Sequence, residues 1–209
     1  MDFAGEFETH ITVAADPQPT VGKLAEWARH HGLTCLHIVV EGAAVPSQPM
    51  LSLRGRGTLG ERLRAAAEVA AGLAEAGFRV VRTKIEAAPD NRDVPRTDAE
   101  AAARTDGRYF EHHVKLLMDP AADCAAPADL ASRYAARLSR NARRVRPDGL
   151  AERFVTQHCR GVGRDGAERL LQRLLDGLAA AGHRIAEVER EYVVFDSNAD
   201  LDAPAPRPR

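Results

Sequence analysis

Phe7-Glu8-Thr9-His10-Ile11-Thr12-Val13 is the stretch that decides the fold, because it returns as Phe110-Glu111-His112-His113-Val114-Lys115-Leu116, 103 residues later. Two further blocks return in the same order. Arg54-Gly55-Arg56-Gly57 recurs as Arg160-Gly161-Val162-Gly163, and Gly72-Leu73-Ala74-Glu75-Ala76-Gly77 recurs as Gly177-Leu178-Ala179-Ala180-Ala181-Gly182, at offsets of 106 and 105. Three ordered blocks at a nearly constant offset predict a tandem duplication. Its two copies span 3–88 and 106–196. The stretch between them, 89–105, is rich in Pro and charge and reads as a linker with a short helix near Ala99–Arg104. The last stretch, 197–209, ends Ala-Pro-Ala-Pro-Arg-Pro-Arg and reads as a disordered tail with too little apolar surface to pack.

Periodicity assigns the same six elements to each copy. In 6–14, Phe7, Ile11 and Val13 alternate with Glu8, His10 and Thr12, the period of a half-buried strand. Leu24, Trp27, Ala28 and His31 have helical spacing over 21–31. Strands follow at 33–40 and 50–54. Leu59, Leu63, Ala66, Ala70 and Leu73 then mark a long helix over 59–77. Thr58 and Glu61 form its capping box, and Gly77 ends it in the left-handed conformation. A strand at 78–86 closes the copy. The second copy repeats this at 109–117, 130–138, 143–146, 154–160, 167–181 and 184–195, with Asp165 and Glu168 standing where Thr58 and Glu61 stood. The predicted class is α+β: two βαββαβ units of the ferredoxin-like kind, each an antiparallel sheet with both helices on one face, the pair related by a pseudo-twofold.

The chain has 209 residues, of which 44% are hydrophobic and 28% charged, with a formal net charge of −1. That balance provides no overall attraction to nucleic acid. No apolar run approaches the roughly 18 residues of a membrane span, so neither a membrane nor nucleic acid is an expected partner. Cys35, Cys124 and Cys159 are odd in number and widely spaced, with no CxxC. This argues against a disulfide framework and a structural zinc site and fits a reducing cytoplasm. The run from Ser139 to Arg146 is basic but lacks interleaved aromatics, and it reads as a solvated helix end. Trp27 and Tyr134 read as the anchors of the first helix of each copy.

Function is sought on the sheet faces turned away from the helices. Alternation places Glu8, His10 and Thr12 there in the first copy and Glu111, His113 and Lys115 in the second. Neighbouring strands add Ser52, Arg54, Arg82, Lys84 and Glu86, and Thr156, His158, Arg160, Glu187, Glu189 and Glu191. Imidazole beside carboxylate is a proton-transfer or metal-binding pair, and Glu-x-His recurs at one register. His10, His113, Glu8 and Glu111 are therefore the candidate catalytic residues. Gly55-Arg56-Gly57-Thr58-Leu59-Gly60 and Gly161-Val162-Gly163-Arg164-Asp165-Gly166 are both GxGxxG runs that open a helix, where backbone amides can meet a phosphate. Arg54, Gly55, Gly57, Thr58, Lys84, Lys115, His158, Arg160, Gly161 and Gly163 are the candidate ligand-binding residues. The dinucleotide form of this motif fits less well, because it wants a buried apolar strand before the glycines and a parallel sheet.

His10-Ile11-Thr12 is similar to the HxT motif of the two-histidine phosphoesterases, but the second copy reads His113-Val114-Lys115. Glu6-x-Glu8-x-His10 resembles the ExExK start of the triphosphate tunnel enzymes, with histidine in place of lysine. Each resemblance covers a few residues and assigns no family. The expected function is binding of a small anionic or phosphate-bearing molecule in a polar cavity between the repeats, with phosphoester hydrolysis or transfer as the reaction if the protein is an enzyme. The alternative is a non-catalytic interaction or scaffold protein that uses charged sheet faces. The sequence names no cofactor, no metal and no oligomeric state.

Overall fold

The computed structural model describes residues 3–15, 20–144 and 146–205. Among them are eight strands, five α-helices and one 3-10 helix, an α+β protein. The chain divides into two compact units. Residues up to Asp93 and those from Val193 onward make the first, and Val94–Tyr192 makes the second.

Unit 1 runs β1 (Ala4–Val13), α1 (Thr20–His30), β2 (Thr34–Val40), β3 (Ser47–Thr58), α2 (Leu59–Glu75) and β4 (Val80–Ala87). Its strands lie in the order β2-β3-β1-β4, and the pairs β2–β3, β3–β1 and β1–β4 are antiparallel. Ile11, Val13 and Leu51 on the sheet bury against Leu24 and Ala28 of α1 and Ala66 and Leu73 of α2. Both helices therefore cover one face, as the alternation in β1 requires. Trp27 packs against this core and lies beside Gly72 of α2, where an added methyl would come within 3.4 Å of the indole.

Unit 2 contains α3 (Asp98–Ala102), β5 (Tyr109–Met118), α4 (Ala125–Ser132), β6 (Ala136–Asn141), β7 (Ala151–Arg160), α5 (Arg164–Ala180) and most of β8 (Arg184–Asp196). The strand order is β6-β7-β5-β8, with β5–β7 and β6–β7 antiparallel. Val114, Leu116, Leu138 and Val155 pack on Ala131 of α4 and on Leu171, Leu174 and Leu178 of α5.

Four expectations need correction. The helix expected at 130–138 is α4, which stops at Ser132. Ala135 takes φ +54, and β6 begins at Ala136. Leu130, Ala131, Tyr134 and Leu138 have helical spacing, but Ala136 and Leu138 are buried as alternate residues of a strand. Tyr134, in the turn, fits its hydroxyl against Gly177 of α5. The strand expected at 143–146, and the helix end expected from Ser139, are instead the end of β6 and a turn; Val145 lies outside the described residues. The expected linker works as a cap for α5, as described below. The tail from Ser197 to Ala205 packs on unit 1. Leu201 is buried in the 3-10 helix Ala199–Asp202, and the Ala44 and Ala205 amides donate to the Ala203 and Gly42 carbonyls. Charge pairing replaces the apolar surface this segment lacks, because Arg82 holds both Asp196 and Asp202. Residues 206–209 lie outside the described residues.

The long helices end where left-handed residues stand. Gly77 has φ +84 and Gly182 φ +78, and the Phe78 and His183 amides return to the Leu73 and Leu178 carbonyls. A Cβ at either glycine would meet nothing within 4 Å, so the cost of substitution is conformational. Gly77→Ala and Gly182→Ala are each expected to lower stability by about 1 kcal/mol in chemical denaturation. No loss in both would mean that the helix ends tolerate a side chain.

Candidate functional site

The register of unit 1 fixes its open face. Glu8 stands opposite Glu86 on β4 and Arg54 on β3, while His10 stands opposite Lys84 and Ser52. Directly opposed carboxylates repel, and a carboxylate as buried as Glu86, 1% exposed, must be paired. The surrounding donors meet both demands. His10 Nε2 lies 3.0 Å from Glu86 Oε2 and 3.8 Å from Glu8 Oε1. Lys84 Nζ lies 2.6 Å from Glu86 Oε1. Arg54 Nε and Ser52 Oγ donate to the two oxygens of Glu8, at 2.8 and 2.5 Å. His10 Nδ1 is buried and has no hydrogen-bond partner among the described residues.

Burial by itself lowers the His10 pKa. The charge and hydrogen bond of Glu86 act the other way, with Lys84 opposing and Glu8 assisting, and the net value is raised above the ordinary 6.5. A raised folded pKa means that the folded state holds the proton more tightly than the unfolded chain does. The stability this adds is complete below about pH 6.5 and is lost as pH rises through the folded pKa. The melting temperature is therefore expected to fall as pH rises above 6.5, and His10→Gln should flatten that slope. An unchanged slope in the variant would assign the pH dependence to another group.

Unit 2 places its residues on the same strand positions with different chemistry. Across β5–β7, Glu111 faces His158 and His113 faces Thr156. His113 Nε2 lies 3.2 Å from Glu111 Oε1 and 3.2 Å from Glu191 Oε2. His158 Nε2 lies 3.3 Å from the other Glu111 oxygen. His113 Nδ1 meets the Thr156 hydroxyl at 3.0 Å, which turns Nε2 toward the carboxylates. Lys115 pairs with Glu187, away from this cluster, and its ammonium lies 5.6 Å from the centre of the Phe154 ring. Arg160 also lies apart. Its guanidinium stacks 4.1 Å from the Tyr109 ring centre and donates to the Gly107 carbonyl.

The glycine runs do not form open phosphate cradles. Gly55 and Gly57 lie within β3, paired with Phe7 and Gly5. The Glu61 carboxylate accepts from the Thr58 amide at 2.7 Å, so the capping box holds a negative charge at the start of α2. At α5 the N-cap is Gly163, and Asp165 and Glu168 form no capping box. Glu168 instead makes a bidentate pair with Arg190. Asp98 from the former linker accepts from the Gly163 amide at 2.9 Å, and the Pro95 and Arg96 carbonyls take the Arg164 and Asp165 amides. Gly161 takes φ +70 in the preceding turn. Each place where an anion was expected holds one of the protein's own carboxylates.

The structure thus gathers Glu8, His10, Arg54 and Lys84 in one cluster and Glu111, His113 and His158 in another. Gly55, Gly57, Thr58, Lys115, Arg160, Gly161 and Gly163 lie apart from both. The sequence put Glu86, Glu191 and Thr156 on these faces without assigning them roles, and their contacts with the histidines were the missing signal. Cys35, Cys124 and Cys159 are thiols rather than disulfide partners. Burial pushes Cys159 up to about 12, which leaves it no nucleophilic thiolate at neutral pH. No helix among the described residues is long and apolar enough to cross a membrane.

No protein-family model and no curated protein matches the sequence. Among solved structures the chain is similar to the small subunit of acetolactate synthase from Thermotoga maritima, at 14% identity. That match covers 90% of this chain and 94% of the other, with a TM-score of 0.30. A likeness at that level carries no argument about function.

Proposed function

We propose that the protein is a duplicated ferredoxin-like module that binds a small polar molecule at its Glu-x-His faces and moves protons there. The carrying observation is the triad present in both units: Glu-x-His on the first strand and a glutamate on the last. In unit 1 it is Glu8, His10 and Glu86, and in unit 2 it is Glu111, His113 and Glu191. An imidazole held by a carboxylate can pass a proton near neutral pH. Each histidine keeps some exposure, 16% of the His10 side chain and 20% of that of His113. Phosphoester hydrolysis or transfer remains the proposed reaction class, with the histidines as acid and base rather than the helix ends as phosphate sites.

The docking alternative needs charges offered to solvent. Burial of Lys84, Glu86 and Glu111, at 8%, 1% and 2% exposure, supports the small-molecule reading over it.

The test is a thermal-shift and turnover screen of phosphomonoesters, phosphodiesters, nucleotides and small carboxylates. Wild type, His10→Gln and His113→Gln are compared with and without divalent metal. A ligand at 100 times its Kd should raise stability by about 2.7 kcal/mol. Loss of that gain in the folded histidine variants supports the proposal. A gain retained in both, or no ligand and no turnover across the panel, overturns it.

A further inference from the structure

We infer that Arg82 and Gln48 of unit 1 form a subsite for the anionic end of a ligand, a carboxylate or a phosphate, and that the chain's own Asp202 fills it as a displaceable stand-in. The inference rests on the proposed function, because it gives the His10 face a place for the ligand's charge.

The strand register sets the position. On β4, Arg82, Lys84 and Glu86 alternate onto one face, opposite Thr12, His10 and Glu8 of β1. Arg82 therefore stands two residues along the strand from the Lys84–His10 pair, roughly 7 Å away. A ligand whose anionic group sits at Arg82 extends its next few atoms toward His10.

Two donors meet one carboxylate there. Arg82 Nη1 donates to Asp202 Oδ2 at 2.7 Å, and Gln48 Nε2 donates to Asp202 Oδ1 at 2.9 Å. Two N–H groups aimed at two oxygens of one centre are the arrangement that recognises a carboxylate or a phosphate. Arg82 and Gln48 are buried, so this cradle is held in place by its surroundings.

The two aspartates on Arg82 divide the work. Asp196, the last residue of β8, takes Nε and Nη2 and by itself balances the guanidinium charge. Its side chain is 8% exposed, against 20% for Asp202, so Asp202 is the member that solvent reaches. Exchange of Asp202 for an external carboxylate leaves the charge and the donor contacts as they were. Asp202 ends a single 3-10 turn whose start has no side-chain cap. The Ser197–Thr83 and Ala203–Ala44 bonds that tie the segment to unit 1 involve neither Arg82 nor Gln48. Turning the Asp202 side chain outward therefore empties the cradle while those ties hold. A tethered carboxylate competes at an effective concentration on the order of millimolar, so the tail restrains binding at this face.

Sodium phosphate and sodium acetate are titrated separately into the full chain, followed through the Gln48 side-chain amide signal in NMR. Asp202→Ala is expected to bind one or both anions at least about tenfold more tightly than wild type, because the internal competitor is gone. Asp196 keeps the arginine paired in that variant, and circular dichroism reports the fold. Gln48→Met, added to Asp202→Ala, should reverse most of the gain. Asp200→Ala removes a neighbouring charge that lies outside the cradle, and should bind as wild type does. Equal binding in wild type and folded Asp202→Ala, no binding in either, or the same gain in Asp200→Ala overturns the subsite. The anion at Arg82 does not touch His10, so the gain should persist when His10→Gln is added. If it persists while the histidine variants retain every ligand of the wild type, the subsite stands and the proposed function falls. If ligands are lost with the histidines and Asp202→Ala gains nothing, the subsite falls and the proposed function stands.

Discussion

Arg82→Met is expected to lower stability by about 3–5 kcal/mol, the cost of leaving buried charge without its partner. The Arg82 side chain is 6% exposed. Its Nε and Nη2 donate to the two Asp196 oxygens at 2.9 and 2.7 Å, and Nη1 donates to Asp202 at 2.7 Å. Burial alone would lower its pKa, but the two aspartates more than offset this and hold the guanidinium charged. Asp202 also accepts from Gln48, so one arginine ties β3, β4 and the chain after β8 together. Adding Asp196→Asn and Asp202→Asn to Arg82→Met should recover much of the loss, because the uncompensated carboxylates are then gone. Urea denaturation followed by circular dichroism measures both. A loss under about 1 kcal/mol in the single variant would mean that water already solvates the cluster.

Gly163→Ala is expected to cost about 3 kcal/mol, at the upper end of ordinary overpacking. Gly163 has φ −80 and ψ 178, which any residue can adopt, so the penalty is steric. Its Cβ would overlap the Thr97 carbonyl group and come within 2.7 Å of the Arg96 carbonyl carbon. These are backbone atoms of the segment that caps α5, and they cannot swing aside as a side-chain end can. The neighbouring Gly161→Ala separates the two causes. It has open space but φ +70, and should cost only about 1 kcal/mol. Equal effects at both positions, read from thermal melts, would contradict the close approach of Thr97 to α5.

That glycine shows where sequence reading reaches its limit. Two GxGxxG runs before helices suggested room for a phosphate, since glycine permits backbone amides to approach a ligand. At Gly163 what approaches is the chain itself, from 66 positions earlier at Thr97. Periodicity carries no sign of that. Local pattern did reveal β1, β5 and α2, where alternation or helical spacing is unbroken and Thr58 and Glu61 cap the helix. It misread 130–138, where Leu130, Ala131, Tyr134 and Leu138 satisfy a helical period although a left-handed Ala135 divides helix from strand. It misread the tail because Asp196 and Asp202 look like solvated charges until Arg82 is placed beside them. The candidate site was legible as a face, since parity along a strand puts Glu8 with His10 and Glu111 with His113. Which groups touch was not, because the partners Glu86, Glu191 and Thr156 are supplied by strand pairing.

Imidazole NMR signals recorded during ligand titration test the assignment of the triads most directly. Phosphomonoesters, nucleotides and small carboxylates are added to the full chain, with and without zinc(II). His10 and His113 resonances are expected to shift with saturation, while those of His30, His31 and His183 stay in place. If the shifts appear at His30, His31 or His183 instead, or if all eight histidines stay unmoved across the panel, the triads are not the ligand site.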